Sequence, residues 1–250
     1  MEDSLIILII LIIHGIGVLI YKFYLPRIKG AKGEYRIAKL LRKLKKHEYK
    51  TFNDIYLEIN GRTSQIDHLV ISIYGIFVIE TKNYQGWIHG NENSENWTQS
   101  IYKEKVKFRN PVKQNWSHIY TLKDILSEFD FIEYHPIVVF AGKATLKNIY
   151  SNVPVVYKYE LLETIKEYDE YSLSFEEVED ISNHILKFEI KEKKRRKHNK
   201  YVKQNIKNRK RSVKSLICPN CNGTLKVKNG RYGDFYGCSN FPNCRYSKKI

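Results

Sequence analysis

Two apolar, β-branched segments on either side of a glycine-containing turn constrain the fold of this chain most strongly. The first segment begins at Gln65-Ile66-Asp67-His68, the turn is Tyr74-Gly75, and the second segment runs from Ile76 to Lys82. Segments of this composition around a short turn predict a β-hairpin. The hairpin carries charged residues at its open end, so its pairing decides which of them meet.

The register of this hairpin is expected to bring two acids and a lysine together. With Tyr74-Gly75 as a two-residue turn, Asp67 lies opposite Lys82. Glu80 and Lys82 share one face because side chains alternate along a strand, and Asp67 reaches the same face. Directly opposed Cβ atoms are roughly 5 Å apart, which is close enough for two carboxylates to hold one divalent cation.

The spacing of Asp67, Glu80 and Lys82 resembles the D…ExK core of the PD-(D/E)XK nucleases. Over about residues 30–145 the chain resembles the nuclease-related domain called NERD. The motifs that carry this resemblance are Gly33-Glu34, Gln65-Ile66-Asp67-His68, the segment from Gly75 to Gly86, and Asn110-Pro111-Val112-Lys113-Gln114-Asn115. The resemblance implies an α/β fold with a restriction-endonuclease-like mixed sheet flanked by helices.

The same resemblance implies a role for five residues. Asp67 and Glu80 would bind Mg²⁺ or Mn²⁺, and Lys82 would orient the attacking water. Glu34 would be a third acid of the site, and Gln114 a positioning group. Taken without the family, Glu34 also suits a first-turn glutamate that complements a helix dipole, and Gln114 a solvated helix residue.

The charge of the chain is concentrated near its C-terminus. The net charge is +16, yet residues 1–190 hold 24 Lys and Arg against 25 Asp and Glu. Residues 191–217 hold 13 against 1, and residues 218–250 hold 6 against 1. A basic excess confined to one segment predicts a polyanionic partner for that segment, either nucleic acid or an anionic lipid surface.

All four cysteines lie in the last part of the chain, at Cys218, Cys221, Cys238 and Cys244. Two short-spaced pairs of this kind favour a tetrahedral zinc site, because so short a segment has too little apolar material to fold unaided. Two disulfides are the alternative. A cysteine-free body is consistent with a reducing compartment.

Over about residues 216–248 the chain resembles the C4 zinc ribbon at the tail of type IA topoisomerases, which is associated with single-stranded DNA. The resemblance rests on the text from Arg231 to Cys244. Aromatic and basic residues alternate there, as base stacking and phosphate binding require. The candidate nucleic-acid-binding residues are Arg231, Tyr232, Phe235, Tyr236, Phe241 and Arg245, with Lys193, Lys194, Arg195, Arg196 and Lys197 of the basic segment. No topoisomerase catalytic domain accompanies the ribbon.

Residues 5–21 are apolar except for His14 and two glycines. As a helix they would extend about 25 Å, which suits a single membrane span. Acidic residues precede the run and no small-residue cleavage site follows it, so a cleaved signal peptide is disfavoured. Basic residues after residue 21 predict that the C-terminal side faces the cytoplasm.

The chain therefore divides into four expected parts. They are a transmembrane helix at 1–25, a NERD domain at 30–190 with core motifs at 33–145, a basic linker at 191–215 and a C4 zinc ribbon at 216–250. Within the body the pattern predicts strands at 51–59, 87–90, 97–107, 137–140 and 153–159. Helices are predicted from Gly33-Glu34, from Asn110-Pro111, and over 160–168 and 175–187.

These features predict a membrane-anchored, metal-dependent nuclease that acts on DNA, single-stranded DNA included, at the cytoplasmic face of the cell membrane. One alternative is a non-catalytic nucleic-acid tether, in which the hairpin acids form a structural ion-pair cluster. Another is that the basic tail binds anionic lipid. The sequence does not distinguish DNA from RNA, endonuclease from exonuclease action, or one oligomeric state from another.

Overall fold

The computed structural model describes residues 14, 15, 17, 28–129, 132–190, 204, 207–230, 233–244 and 246–249. The chain forms two compact units, Met1–Glu189 and Ile190–Ile250. No helix within these described ranges is long and apolar enough to cross a membrane. The predicted span at 5–21 lies outside them apart from residues 14, 15 and 17.

The first unit contains four helices and nine strands in its described part. In chain order these are α1 (28–41), β1 (Tyr49–Ile59), β2 (Arg62–Ser72), β3 (Gly75–Lys82), β4 (Gln85–Asn91), β5 (Asn96–Ile101), β6 (Glu104–Arg109), α2 (Pro111–Ile125), β7 (Tyr134–Phe140), β8 (Lys143–Tyr150), β9 (Val155–Tyr157), α3 (Leu161–Lys166) and α4 (Phe175–Lys187).

A five-stranded mixed sheet in the order β1-β2-β3-β7-β9 forms the centre of this unit. The β1-β2 and β2-β3 pairs are antiparallel, whereas β3-β7 and β7-β9 are parallel. The predicted mixed sheet flanked by helices is confirmed. Val78 of β3 packs in a buried cluster with Ile119 of α2 and Ile181 of α4. On the other side, Phe77 packs in a cluster with Ile37 of α1. Burial on both faces explains why the sequences of the central strands are continuously apolar.

The hairpin turn falls one residue earlier than predicted. It consists of Ile73-Tyr74, because Ser72 pairs with Gly75 at the start of β3. Gly75 has a φ of 106° and a Cβ there would lie 2.7 Å from His135 Nε2. Glycine is therefore needed to let β3 pass close to the start of β7, and it serves the strand rather than the turn.

The earlier turn changes the cross-strand partners at the open end. His68 pairs with Ile79, so one step further Asp67 lies opposite Glu80. The prediction that Asp67 lies opposite Lys82 is wrong, because the turn moved by one residue and so shifted the partner by two. A shift of two preserves the alternation of faces, and the three charged residues still occupy the same end of the hairpin.

A second sheet of four strands in the order β6-β5-β4-β8 was not foreseen as a separate layer. The predicted β segment at 97–107 is a hairpin, β5 and β6, and strand β8 was missed. The inner face of this sheet contributes Ile88 and Trp97 to a buried cluster with Val138 and Phe140 of β7. Strand β8 was missed because its alternation of polar and apolar residues is short, and Ala144 is its only buried residue.

The helices follow the sequence signals with one exception. Asn110 caps α2 with Pro111 in the first turn, and α4 spans Phe175–Lys187, as predicted. The helix expected to open at Gly33-Glu34 already includes residue 28. Gly33 is instead a packing position, since a Cβ there would lie 2.6 Å from Asn83 Cβ.

The second unit is a small sheet with a preceding helix. Its described elements are α5 (207–214), β10 (Leu225–Gly230), β11 (Gly233–Cys238) and β12 (Ser247–Lys249). The three strands pair antiparallel in the order β10-β11-β12. A cluster of Val213, Leu225 and two of the cysteines, Cys218 and Cys238, forms the apolar centre.

Candidate functional site

The acids and the lysine of the hairpin meet where the pairing of β2 with β3 ends, beside the C-terminal end of β3. The backbone N–H of Thr81 donates to Asp67 Oδ2 at 2.8 Å. Lys82 Nζ donates to Glu80 Oε1 at 2.5 Å, and both side chains are largely buried, with exposures of 14% and 3%. The predicted trio is thus brought together, with Glu80 rather than Asp67 as the direct partner of Lys82.

Helix α2 supplies two further side chains to this group. Lys82 Nζ also donates to Gln114 Oε1 at 3.1 Å, so the structure brings the predicted glutamine next to the lysine. One turn later, His118 Nε2 lies 3.4 Å from Glu80 Oε2. The other ring nitrogen, Nδ1, is 2.7 Å from Ser64 Oγ. Sequence reasoning missed His118, although its position four residues after Gln114 places it on the same helix face.

The backbone of α2 is held against the sheet at the same place. Asn115 donates from Nδ2 to the carbonyl oxygens of Val78 at 2.7 Å and Ile137 at 3.0 Å. Asn115 therefore joins the helix to both β3 and β7. These bonds fix the position of the neighbouring Gln114 along β3, next to Lys82. Asn110 plays a similar part at the cap, donating to three carbonyls and accepting from Val112 N–H.

Glu34 of α1 approaches the group from the opposite side of the sheet. Burial, the charge of Asp54 and the charge of Glu80 raise the pKa of Glu34 above its usual value. Asp54 lies in β1 with a φ of 52° and accepts from Gln65 Nε2 at 2.9 Å. Its contribution was missed because Asp54 lies in a predicted strand without any site motif.

The two central carboxyls have opposite pKa shifts. Burial and the charges of Glu80 and Glu34 raise the pKa of Asp67 well above its usual value. Burial also acts on Glu80, but the charge of Lys82 and the contacts with His118 outweigh it and lower the pKa. For Lys82, burial is outweighed by Glu80 and Asp67, so its pKa is raised. The site thus holds more carboxylates than its lysine neutralises.

This donor set suits a hard divalent cation. Carboxylate oxygens are the preferred ligands of Mg²⁺ and Mn²⁺. Burial first, and then the charge of Glu80, raise the pKa of Asp67, and a bound cation would offset both effects. The acids do not form a closed cage, since in the described chain only the four cysteines are grouped as closely as three or more ligands of one metal ion would be. An open arrangement fits Mg²⁺, which keeps several water ligands.

The four cysteines form a compact group in the second unit. Their sulfur atoms all lie within 4.8 Å of one another, with 3.7 Å between the Sγ atoms of Cys218 and Cys244 and 3.3 Å between those of Cys221 and Cys238. These separations exceed the roughly 2.05 Å of a disulfide. They approach the edge of about 3.8 Å that four sulfurs around Zn²⁺ would span. The cysteines therefore fit a structural zinc ion, and the disulfide alternative is disfavoured.

Only part of the predicted nucleic-acid-binding set lies in the described chain. Phe241 is 61% exposed, and Lys228 Nζ lies 5.4 Å from its ring centre. Phe235 and Tyr236 are half-buried on β11. Outside the described residues are Lys193, Lys194, Arg195, Arg196, Lys197, Arg231, Tyr232 and Arg245.

The chain thus brings carboxylates, a lysine and a glutamine together beside the C-terminal end of β3, and this part of it is similar to nuclease-related proteins. The family model for the nuclease-related domain, NERD, matches residues 29–141. An uncharacterised protein of Bacillus anthracis is 36% identical over 200 residues, which cover 74% of this chain and 91% of the relative. The chain belongs to the NERD family.

The C-terminal unit has its own relatives. The model for the topoisomerase DNA-binding C4 zinc finger matches residues 216–250. DNA topoisomerase 1 of Mycoplasmoides gallisepticum is 45% identical over 48 residues, and that of Methanocaldococcus jannaschii is 56% identical over 34 residues. The matches cover 19% and 14% of this chain but only 7% and 4% of those enzymes. No solved structure matches the chain.

Proposed function

We propose that the chain is a metal-dependent nuclease that hydrolyses phosphodiester bonds of DNA. The observation that carries this proposal is the group at the open end of the hairpin. There Asp67 lies opposite Glu80, and Lys82 joins Glu80 to Gln114. A purely structural ion pair would need one acid for one lysine, whereas here the charges of Asp67 and Glu34 act on the pair as well.

Each side chain has a task in this proposal. Asp67 and Glu80 offer oxygen ligands to Mg²⁺ or Mn²⁺. Lys82 orients the attacking water and faces the charge that develops on the phosphate. Gln114 and His118 fix Lys82 and Glu80 from helix α2. Glu34, whose pKa is raised, is suited to accept the proton of the water.

When bound, the divalent cation would lower the pKa of a water and neutralise charge on the phosphate oxygens. The protein contributes the positions of its ligands, which sit on buried strands rather than on loops. Glu80 is 3% exposed and lies on β3, which packs on both faces. Rigid placement of this kind favours reactive geometry.

The decisive experiment is cleavage of labelled single-stranded and double-stranded DNA by the purified full chain. We expect wild type to cleave with Mg²⁺ and Glu80→Ala to lose at least a hundredfold in rate. The metal should be omitted rather than chelated, because a chelator would also strip zinc from the cysteines. Glu104→Ala, which removes an exposed acid of β6, is the matched control and should cleave like wild type.

Cleavage that survives both Glu80→Ala and Asp67→Ala would exclude this site. A parallel reaction with RNA of the same sequence tests the substrate, because backbone contacts alone do not read the sugar.

Capture of the substrate is assigned in this proposal to the zinc ribbon and the basic segment. The match to a DNA-binding C4 zinc finger and the exposed Phe241 beside Lys228 support that role. Affinity should fall steeply with salt, since phosphate contacts release counterions. Anchoring of the protein in the cell membrane, with both units in the cytoplasm, is a further part of the proposal and is supported by the apolar run at 5–21.

A non-catalytic nucleic-acid tether is the second candidate. The direct ion pair between Lys82 and Glu80 favours it, because that contact fills part of the site without any metal. A tether would bind DNA equally well as wild type, Glu80→Ala or Asp67→Ala, and none of the three would cleave it. Binding of the basic tail to lipid is tested by comparing anionic with neutral vesicles.

A further inference from the structure

The four-stranded sheet of the first unit has an outer face that the proposed function does not use. Its inner face is apolar, with Ile88, Trp97 and Phe108 in or against the buried cluster. Since side chains alternate along each strand, the residues between these point outward. Cross-strand pairing then identifies which of them are neighbours.

The outward positions are basic at both edges of the sheet. Ser100 of β5 pairs with Trp87 of β4 and with Lys105 of β6, which sets one outward row. Thr98 pairs with Lys107 in the next row. At the other edge, Lys147 Nζ lies 3.7 Å from the centre of the Trp87 ring, so it shares that face. We define the basic sheet face as Lys105, Lys107, Arg109, Lys143 and Lys147.

These five cations lack acidic neighbours. All five are exposed, and within the described part of the chain none forms an ion pair. The register places no Asp or Glu in the outward rows of the four strands. Residues 1–190 are nearly neutral overall, so the positive charge of this face is not evident from the composition of the first unit.

The centre of the basic sheet face is polar and aromatic rather than aliphatic. Thr98 and Thr145 offer hydroxyl groups between the two basic edges. Trp87 is 51% exposed beneath Lys147. Hydroxyls and cations suit phosphate and sugar, and an exposed indole suits a base. A lipid-binding surface would instead present apolar side chains that enter the acyl region.

The sheet also starts at the candidate nuclease site. Strand β4 begins at Gln85, directly after the end of β3 at Lys82. Strand β8 follows β7 in the same way, and Ala141 N–H donates to the carbonyl of Lys82 at 2.9 Å. Both β4 and β8 therefore begin next to the end of β3 that carries Lys82.

We infer that the basic sheet face is the surface on which the phosphate backbone of the substrate nucleic acid docks as it enters the site. This inference rests on the proposed function, because the nucleic acid that docks on this face is the substrate of the proposed nuclease site. It is distinct from the zinc ribbon and the basic segment, which belong to the other unit.

The test is the salt dependence of DNA binding by the full chain, zinc-loaded and without Mg²⁺ so that no cleavage occurs. One variant combines Lys105→Ala, Lys107→Ala and Arg109→Ala, and a second combines Lys143→Ala and Lys147→Ala. Each phosphate contact contributes about 1 to the slope of log K against log salt, so we expect slopes smaller by about 3 and about 2. At 0.1 M salt the triple variant should bind on the order of ten- to a hundredfold more weakly.

The matched control combines Lys39→Ala, Arg42→Ala and Lys43→Ala, which removes three exposed cations from or next to α1. It should retain the wild-type slope. An equal loss in this control, or unchanged slopes in both sheet variants, would overturn the inference. So would unchanged DNA binding together with weaker binding to phosphatidylserine vesicles, which would assign the face to lipid.

A cleavage assay separates this inference from the proposed function. If wild type never cleaves DNA, but the two sheet variants show the expected smaller slopes, the nuclease proposal is refuted and the docking surface is retained. Wild type that cleaves, with sheet variants of unchanged slope and unchanged KM, would refute the docking surface alone.

Discussion

The two units of this chain are stabilised in different ways. The described part of the first unit has three buried apolar clusters, which together cover both faces of its central sheet and the inner face of its second sheet. The second unit has one small cluster, and two of its four buried members are the cysteines Cys218 and Cys238. Burial of apolar surface is sufficient for the larger unit, whereas the smaller one depends on four thiolates that converge on one point.

This difference teaches where each unit tolerates change. In the first unit the stability is spread over many aliphatic side chains. The burial of the charged groups of the site therefore lowers the stability of this unit by only a small part of the total. In the second unit two of the zinc ligands are also members of the apolar cluster. Replacing one of them therefore disrupts both the metal site and the core.

Replacement of one zinc ligand should unfold the second unit and leave the first intact. Structural zinc contributes about 10–16 kcal/mol to small folds of this kind, so Cys238→Ser should abolish its folded state. Calorimetry should show a single remaining transition, and zinc content should fall to near zero. Ser239→Ala, next to the ligand, should retain both. A second unit that stays folded without zinc would break the comparison.

A cavity in the central sheet should destabilise the first unit alone. Leu69 is fully buried on β2, so Leu69→Ala should lower its free energy of unfolding by about 2–5 kcal/mol. Denaturant unfolding followed by tryptophan fluorescence measures this unit, because all three tryptophans lie in it. Val106→Ala, at a position 55% exposed, provides the control and should change stability by less than about 0.5 kcal/mol.

The buried cap of α2 should matter less than the core but more than a surface cap. Asn110→Ala removes the acceptor of Val112 N–H and the donor to the carbonyls of Asn91, Glu92 and Ser94, at a cost of about 1–3 kcal/mol. Asn110→Ser keeps a capping oxygen and should recover part of that loss. Equal stability of the two variants would show that only the amide donors contribute.

Neutralising one acid of the site should stabilise the first unit. The pKa of Asp67 is raised in the folded state, so the folded chain holds that proton more tightly than the unfolded chain. Stability therefore falls as pH rises from the usual aspartate pKa through the raised value. At pH 7 without metal, Asp67→Asn should raise Tm by about 2–4 °C, the shift expected for roughly 1 kcal/mol.

Metal should reverse this order. Mg²⁺ should raise the Tm of wild type and leave that of Asp67→Asn unchanged, because only the former binds it. Asp124→Asn, at an exposed acid of α2, is the control and should respond to Mg²⁺ like wild type. A variant that loses stability without metal would show that the carboxylate is already neutralised within the protein.

Much of the first unit followed from local pattern. The hairpin, the capped helix α2 and the limits of α4 are encoded by neighbouring residues, namely alternating apolar text, Asn110-Pro111 and the Ser174 cap. Strand β8 and the split of 97–107 into two strands were missed. The alternation of polar and apolar residues in β6 and β8 is short and weakly apolar, and β8 pairs with β4, which is distant in the sequence.

The sequence alone determined the chemistry of this protein: which acids and lysine occupy the hairpin, which glutamine belongs to the helix, and which four thiols belong together. Tertiary structure decided the rest. The register of the hairpin pairs His68 with Ile79, which brings Asp67 level with Glu80. Helix α2 brought in His118, and the pairing of four strands gathered five scattered cations on one face. These outcomes depend on contacts between residues far apart in the chain, which local patterns do not encode.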